Sequence, residues 1–278
     1  MYGYSGKILH IDLKTQKTWI EEKPEEWYKL WIGGVSMATR LCWENITPGC
    51  DPYSPENPVC IANGIFTGTP VPVGGKFGMA DKSPMTGFIG DSLSGSWFSI
   101  ALKRAGWDGI VMHNQSDSWV NVFIDDDHVE FLDATYLLGK GTYETEEKKK
   151  KKLGDEQIRS CTIGPCGEHG VRFANVTNDG RQAGRTGHGS VWASKKLKAL
   201  SVRGTKGVRV YDPQTLMQLS YDISKAAQGE HTAKYRIYGT ATGMKNSSAM
   251  GVLPTRNFQE GVFEDIDLIS GEYLDEHH

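Results

Sequence analysis

The stretches Gly64-Ile65-Phe66-Thr67-Gly68-Thr69-Pro70-Val71-Pro72-Val73-Gly74-Gly75-Lys76 and Asn178-Asp179-Gly180-Arg181-Gln182-Ala183-Gly184-Arg185-Thr186-Gly187-His188-Gly189 decide how this chain is read. Each is a glycine-rich loop that carries cationic side chains and has a helix signal behind it. Glycine admits positive φ and lets the backbone come close to a ligand, and the free N–H groups of a helix start complement an anion. After the first loop come a second turn, Lys82-Ser83-Pro84-Met85-Thr86-Gly87, and the serine-rich Asp91-Ser92-Leu93-Ser94-Gly95-Ser96. The latter reads as a further turn and a helix start, with Ser94 or Ser96 as its cap.

The second loop is not the phosphate loop of nucleotide hydrolases, which ends in Gly-Lys-Ser/Thr. Nor is it the dinucleotide Gly-x-Gly-x-x-Gly, which needs a strand before it and an acid after it. Its two arginines still suit a phosphorylated ligand, because a guanidinium offers a bidentate fork and backbone amides supply the remaining donors. Arg181 and Arg185 are therefore candidate ligand contacts, with ordinary ion pairing as the competing role. Lys76 can neutralise a phosphate from the first loop, and His188 reads as a packing or hydrogen-bonding residue. No Gly-x-Ser-x-Gly elbow and no His-Glu-x-x-His motif is present. The visible chemistry is the holding of a cofactor.

Composition narrows the class. The chain has 278 residues, 38% of them hydrophobic, enough to bury one substantial core or one core and part of a second domain. A formal charge of −3 gives no general pull toward nucleic acid or a membrane, so any anion site is local. No run approaches the ~18 consecutive apolar residues of a membrane span, and Met1 to Gly6 lacks the apolar core of a signal peptide. A cytoplasmic protein is expected. Cys42, Cys50, Cys60, Cys161 and Cys166 form no Cys-x-x-Cys pair, which fits reduced thiols and leaves no visible cluster or zinc site.

Strand signals dominate the first two hundred residues. Gly6–Leu13 and Lys17–Glu21 flank a polar turn and form a hairpin signal. Further strands are expected at Val59–Ile65, Val73–Asp81, Gly109–His113, Trp119–Ile124, His128–Leu132, Arg159–Ile163, Val171–Val176 and Ala199–Arg203. Helices are expected at Pro24–Leu30, Val35–Glu44, Ser96–Ala105, Thr142–Leu153 and Gly189–Leu197. The lysine run Lys148–Lys152 reads as a solvated helix end. Beyond Gly207, Asp212–Gln228 has helical spacing behind an Asp-Pro start. The expectation is an α+β chain: an N-terminal two-sheet cofactor-binding domain at 1–207, then the start of a helical domain at 208–278.

Several segments together resemble the tungsten-containing aldehyde:ferredoxin oxidoreductase family. They include the opening Gly6-Lys7-Ile8-Leu9-His10-Ile11-Asp12-Leu13, the Ile32-Gly33-Gly34 turn, Thr67-Gly68-Thr69-Pro70 and Lys82-Ser83-Pro84-Met85-Thr86-Gly87. Ala101-Leu102-Lys103-Arg104-Ala105-Gly106, Ile163-Gly164-Pro165-Cys166-Gly167-Glu168, Asn178-Asp179-Gly180-Arg181 and Leu253-Pro254-Thr255-Arg256-Asn257-Phe258-Gln259 extend the resemblance over essentially the whole chain. It implies a base of two sheets under a bis-pterin tungsten (or molybdenum) cofactor, whose phosphates meet at a magnesium ion. Lys76, Leu93, Gly95, Arg181, Gln182 and Ala183 match the family's cofactor contacts, with the backbone carbonyls of Leu93 and Ala183 toward magnesium. The family oxidises aldehydes to carboxylic acids and passes electrons through a 4Fe-4S cluster to ferredoxin.

Departures from the family pattern accompany the match. Lys76 stands where arginine is common, keeping the charge but losing the fork. Leu93 replaces an asparagine, Val35 replaces an arginine, and Gln182 and Trp192 replace smaller or apolar residues. The cluster cysteines and the proton-transfer residues of the family are not in this sequence. The chain is therefore expected to be the front part of a longer enzyme, completed by the remaining helical domains or a complementary subunit. A non-catalytic pterin-binding or assembly module, and a fragment of a related aromatic-thioester reductase subunit, are the alternatives.

Overall fold

The computed structural model describes residues 1–95 and 97–278, so the expected cap at Ser96 lies outside the described residues. Residues Met1–Leu216 form one compact unit and Met217–His278 a second. The first unit holds two six-stranded mixed sheets and the second is helical, which is the expected α+β class.

The first sheet contains β1 (Lys7–Asp12), β2 (Lys17–Glu22), β3 (Val59–Asn63), β4 (Lys76–Lys82), β5 (Ile89–Gly95) and β6 (Gly109–His113), in the order β2-β1-β6-β3-β4-β5. The second contains β7 (Val120–Asp125), β8 (His128–Asp133), β9 (Arg159–Thr162), β10 (Val176–Asn178), β11 (Arg181–Ala183) and β12 (Leu197–Arg203), in the order β11-β10-β9-β12-β7-β8. Each sheet has one parallel pair, β1 with β6 and β12 with β7. The β1–β2 hairpin closes because the amides of Lys14 and Thr15 donate to Asp12 Oδ1 at 2.9 and 3.1 Å, an Asx turn that fixes the register.

Helices α1 (Glu25–Trp31) and α2 (Gly34–Asn45) follow β2, and α3 (Trp97–Arg104) follows β5. One face of the first sheet packs Ile8, Cys60, Ala62 and Val111 against Met37, Ala38 and Leu41 of α2. The opposite face joins a larger core in which Phe98, Ala101 and Leu102 of α3 pack among residues of both sheets, including Ile61, Phe77, Leu200 and Val202. At Gly78 the sheet and α2 approach so closely that a Cβ would sit 2.3 Å from the backbone nitrogen of Val35. Helices α4 (Thr142–Leu153), α5 (Pro165–Glu168) and α6 (His188–Ser194) complete the unit's helical layer. The second unit contains most of α7 (Pro213–Ala226), with α8 (Ala233–Tyr238), α9 (Met244–Ala249) and α10 (Gly271–His277). Ser270 caps α10, its hydroxyl accepting from the Tyr273 amide at 3.2 Å. Among the described residues no helix is long and apolar enough to cross a membrane.

Three segments differ from their sequence reading. Asp91 to Gly95, read as a turn and helix start, lies in strand β5, whose residues alternate between exposed and buried from Ile89 to Ser94. Serine and glycine carry little β preference, so this strand exists because β4 supplies its ladder. Val171–Val176 is mostly turn rather than strand: the short helix α5 ends at Glu168, the Val171 amide closes back on Cys166 O, and pairing begins only at Val176. In the lysine run, Lys149 is fully buried while Lys148, Lys151 and Lys152 stay exposed.

Lys149 Nζ donates to Ser201 Oγ at 3.2 Å, within a buried cluster that also joins Ser201 to Asn121 and Ser160. Burial pulls its ammonium down from the ordinary lysine range to about 7, with Glu146 partly opposing the effect. The unfolded chain therefore binds more protons than the native state between pH 7 and the usual lysine pKa, and stability rises with pH across that window. Lys149→Met is expected to remove up to ~1.4 kcal/mol per pH unit from that slope and to raise stability below pH 7. Urea midpoints followed by tryptophan fluorescence at pH 6.5, 7.5 and 9 check both effects. Gly78→Ala forces β4 off α2 and is expected to cost ~3 kcal/mol by the same assay, whereas Gly87→Ala at an open turn position meets no atom within 4 Å and pays only for its positive φ.

Candidate cofactor site

Strand β5 is the free edge of the first sheet and β11 the free edge of the second, and the two edges meet. Asn178 Nδ2 donates to Ser94 Oγ at 3.0 Å, and Ser92 Oγ donates to the Arg185 carbonyl at 3.0 Å. Ser83 Oγ adds a bond to the Thr186 carbonyl at 2.7 Å. Gly90 makes this approach possible, since a Cβ there would lie 2.5 Å from Thr186 Oγ1. Asp179, at the tip of the β10–β11 hairpin with φ of 44°, accepts from the Phe98 amide at 3.1 Å and so caps α3 from another sheet. Ser94, a candidate for that cap, instead receives the bond from Asn178 within β5. Asn178, Asp179 and Ser92 are the residues that assemble the site, and sequence reading gave them no such role. Asn178 and Asp179 were visible only as the opening of the second glycine loop, and Ser92 only as part of the serine-rich segment.

Of the residues singled out from sequence, Lys76, Leu93 and Gly95 lie on the β4–β5 side of this seam and Arg181, Gln182 and Ala183 on its β11 side. Lys76 pairs with Gly95 across the β4–β5 ladder, and Leu93, 52% exposed, lies on the outward face of β5. Arg181 and Gln182 are exposed on β11, where Gln182 Oε1 accepts from Thr177 Oγ1 at 3.0 Å. Ala183, between them and the Gly184 turn, is fully buried. Lys76, Arg181 and Arg185 have no carboxylate within ion-pair distance among the described residues; the ion-pair reading of the arginines is not realised here.

Beside Lys76 and Leu93 an open groove of about 450 Å³ runs between the Gly33-Gly34-Val35 start of α2 and the Gly64–Gly75 loop, with Ile32, Phe66 and Val73 on its walls. Ile32 and Val73 are held at φ of 55° and 63°. Positive φ in a β-branched residue costs ~1–3 kcal/mol and clusters where a ligand is clamped. Ile32 is kept there by its amide on Tyr28 O at 2.8 Å and by the Tyr4 hydroxyl on its carbonyl at 2.7 Å. An apolar trough with one unpaired cation, Lys76, on its lining suits a flat organic ring carrying a phosphate. The buried Asn178 Oδ1, without a hydrogen-bond partner, marks a further polar atom at the seam. The donor set thus fits a phosphorylated pterin through Lys76, Arg181 and the β5 and β11 backbones.

His188, beneath the second loop, is fully buried between Asp81 Oδ2 at 2.8 Å and Thr186 Oγ1 at 3.2 Å, a hydrogen-bonding role as read from sequence. Cys161 is buried and its thiol is pushed up by burial, whereas Cys166 is exposed. Among the described residues no group of three or more His, Cys, Asp or Glu is arranged to hold a metal. A magnesium ion held by backbone carbonyls requires no such group.

Known proteins resemble the chain along nearly its full length. The family described as aldehyde ferredoxin oxidoreductase, N-terminal domain, matches residues 8–204, and domains 2 and 3 of the same family match residues 218–278. The tungsten-containing aldehyde ferredoxin oxidoreductase of Thermococcus kodakarensis is 43% identical over 99% of the chain, and that of Pyrococcus furiosus 39%. An aliphatic sulfonate oxidoreductase, WOR-like subunit, of Pyrococcus furiosus is 33% identical over 98% of the chain. The chain spans about half the length of these relatives, 46% in each case. Among solved structures, the active site complex BamBC of benzoyl coenzyme A reductase in complex with 1,5 dienoyl-CoA superposes with a TM-score of 0.74 and 28% identity, covering 91% of this chain and 36% of that one. The two-sheet fold, the paired glycine loops and the family match over residues 8–204 lead to one conclusion: this chain belongs to the aldehyde ferredoxin oxidoreductase family.

Proposed function

We propose that this chain is the cofactor-binding N-terminal portion of a cytoplasmic oxidoreductase that oxidises aldehydes to carboxylic acids and delivers electrons to ferredoxin. The observation that carries the reading is the set of unpaired cations on the two strands and loop that meet at the β5–β11 seam, Lys76, Arg181 and Arg185, with Lys76 also lining the apolar groove. A tungsten or molybdenum bis-pterin, when bound, supplies the two-electron redox chemistry. The 4Fe-4S cluster, the aldehyde contacts and the ferredoxin contact belong to the complete enzyme.

The chain's own residues bind and orient. Arg181 offers a forked pair of N–H donors to a phosphate, and Lys76 a compact charge that neutralises without fixing orientation. Were a magnesium ion bound, the backbone carbonyls of Leu93 and Ala183 would be the groups to hold it, where it would neutralise phosphate charge; Gly95 adds no side chain to β5 beside Lys76. The apolar walls at Phe66, Val73 and Leu93 exclude water from the ring and strengthen each charged contact at the rim. Similarity to the benzoyl coenzyme A reductase complex supports a second reading, in which the same base serves reduction of an aromatic thioester. A binding or assembly module without catalysis is the third.

The test uses the chain expressed anaerobically with tungstate, with pterin measured by fluorescence after oxidation and tungsten by mass spectrometry. The wild-type chain is expected to carry both. Lys76→Ala and Arg181→Ala each remove a charge-assisted contact of ~1.5–3 kcal/mol, so the double variant is expected to lose at least tenfold in pterin content with its circular dichroism unchanged. Unaltered pterin content in the folded double variant rejects the assignment. Aldehyde and aromatic-thioester assays of the complete enzyme separate the first two readings.

A further inference from the structure

A second cavity, of about 210 Å³, shares no lining residue with the apolar groove. It is formed where the segment after β12 crosses the C-terminal end of α3 and the start of β1, with Lys7, Lys103, Lys206 and Arg209 among its lining residues. Its walls are pinned. The Lys206 amide donates to Arg104 O at 2.7 Å, the Thr205 amide to Asp126 Oδ1 at 2.9 Å, and the Gly3 amide to Arg209 O at 2.8 Å. Gly106, at φ of 96°, leaves room for the Lys206 side chain, whose Nζ would be 3.3 Å from a Cβ there.

The charges in this cleft do not cancel. Lys103 is buried against Asp108 at 2.5 Å, and Lys206 is paired with Asp127 at 2.6 Å. Four cations against these two carboxylates leave an excess of two positive charges, carried by Lys7 and Arg209, which have no carboxylate within ion-pair distance among the described residues. The Ser5 hydroxyl and the amides of Gly207 and Val208, also on the lining, have no hydrogen-bond partner among the described residues. The carbonyls of Lys103 and Arg104 at the end of α3, which would repel an anion, are already taken by the amides of Gly106 and Lys206. Two cations without a carboxylate partner, Arg209 lying over the Tyr2 ring at 5.7 Å, beside a hydroxyl and two amides without a protein partner, match the donor types of a phosphate dianion site.

We propose that this cleft binds a small phosphate-bearing dianion, free or as a compact monoester, held between Lys7 and Arg209. None of its lining residues belongs to the groove assigned above. Its position gives it a route to the first glycine loop, because Gly68 backs onto Val208 and the Lys103 stem: a Cβ at Gly68 would lie 2.8 Å from Val208 Cγ2 and 3.5 Å from Lys103 Cγ.

The experiment is a titration of the purified chain with inorganic phosphate at constant ionic strength, followed by thermal shift and by phosphorus NMR line width. A saturable response absent with chloride is expected. Lys7→Gln and Arg209→Gln are each expected to weaken it at least tenfold, Lys7→Arg to restore much of it, and Lys76→Gln/Arg181→Gln to leave it intact. Circular dichroism shows that each variant is folded. An equal response to chloride, or a response lost in Lys76→Gln/Arg181→Gln and retained in Lys7→Gln and Arg209→Gln, overturns the proposal, and the second outcome would leave the cofactor assignment standing. A parallel titration with glycerol 3-phosphate assigns the source: tighter binding than inorganic phosphate identifies a monoester, and equal binding identifies the free ion.

Discussion

A buried asparagine and its aspartate neighbour hold the two glycine loops together. Asn178 reaches Ser94 on the opposing sheet edge, and Asp179 caps α3, so the β10–β11 hairpin is fastened to β5 and to the helix that follows it. Charge-assisted and buried hydrogen bonds of this kind contribute ~1–3 kcal/mol each. Their larger effect here is positional: together with the Ser92 and Ser83 hydroxyls on the Arg185 and Thr186 carbonyls, they fix the second loop against the first sheet. The site is a product of two sheet edges meeting, and the meeting depends on short polar side chains and on Gly90.

Buried charge is handled in two ways in the same unit. Lys103 with Asp108, and Lys198 with Glu168, are ion pairs whose remaining hydrogen-bonding capacity is met by backbone groups, including the amides of Ser5 and Gly6 on Asp108 and the Ile163 carbonyl on Lys198. Lys149 has only a serine hydroxyl, and its charged form is correspondingly disfavoured. Burial lowers Lys198 as well, with Glu168 opposing it, so the difference from Lys149 lies in the partner each ammonium finds.

The two cavities differ in kind. One is an open apolar trough lined by a single cation, Lys76, with strained β-branched residues on its wall; the other is a small cationic cleft with unpaired donors. The Gly64–Gly75 loop lines the first, and its Gly68 packs against Val208 of the second. Within the loop, Gly74 lets the chain fold closely onto the Phe66 and Val71 carbonyls.

Much of this was legible in sequence. Hydrophobic period and turn chemistry located most strands and helices, and the Gly, Lys and Arg pattern of the two loops pointed to the site proposed here for an anionic cofactor. Strand β5 was not legible, because its Ser-Leu-Ser-Gly composition reads as a turn until β4 supplies a ladder. The buried state of Lys149 was not legible either, since helical spacing within a run of lysines does not say which one faces the sheet. The cap of α3 comes from a residue 81 positions after Phe98 along the chain, beyond any local signal. Local sequence determined which segments are loops, which are amphipathic and which carry charge, because those properties act over a few residues. Tertiary structure alone decided which cations remain unpaired and which edges meet, because both depend on contacts between segments far apart in the chain.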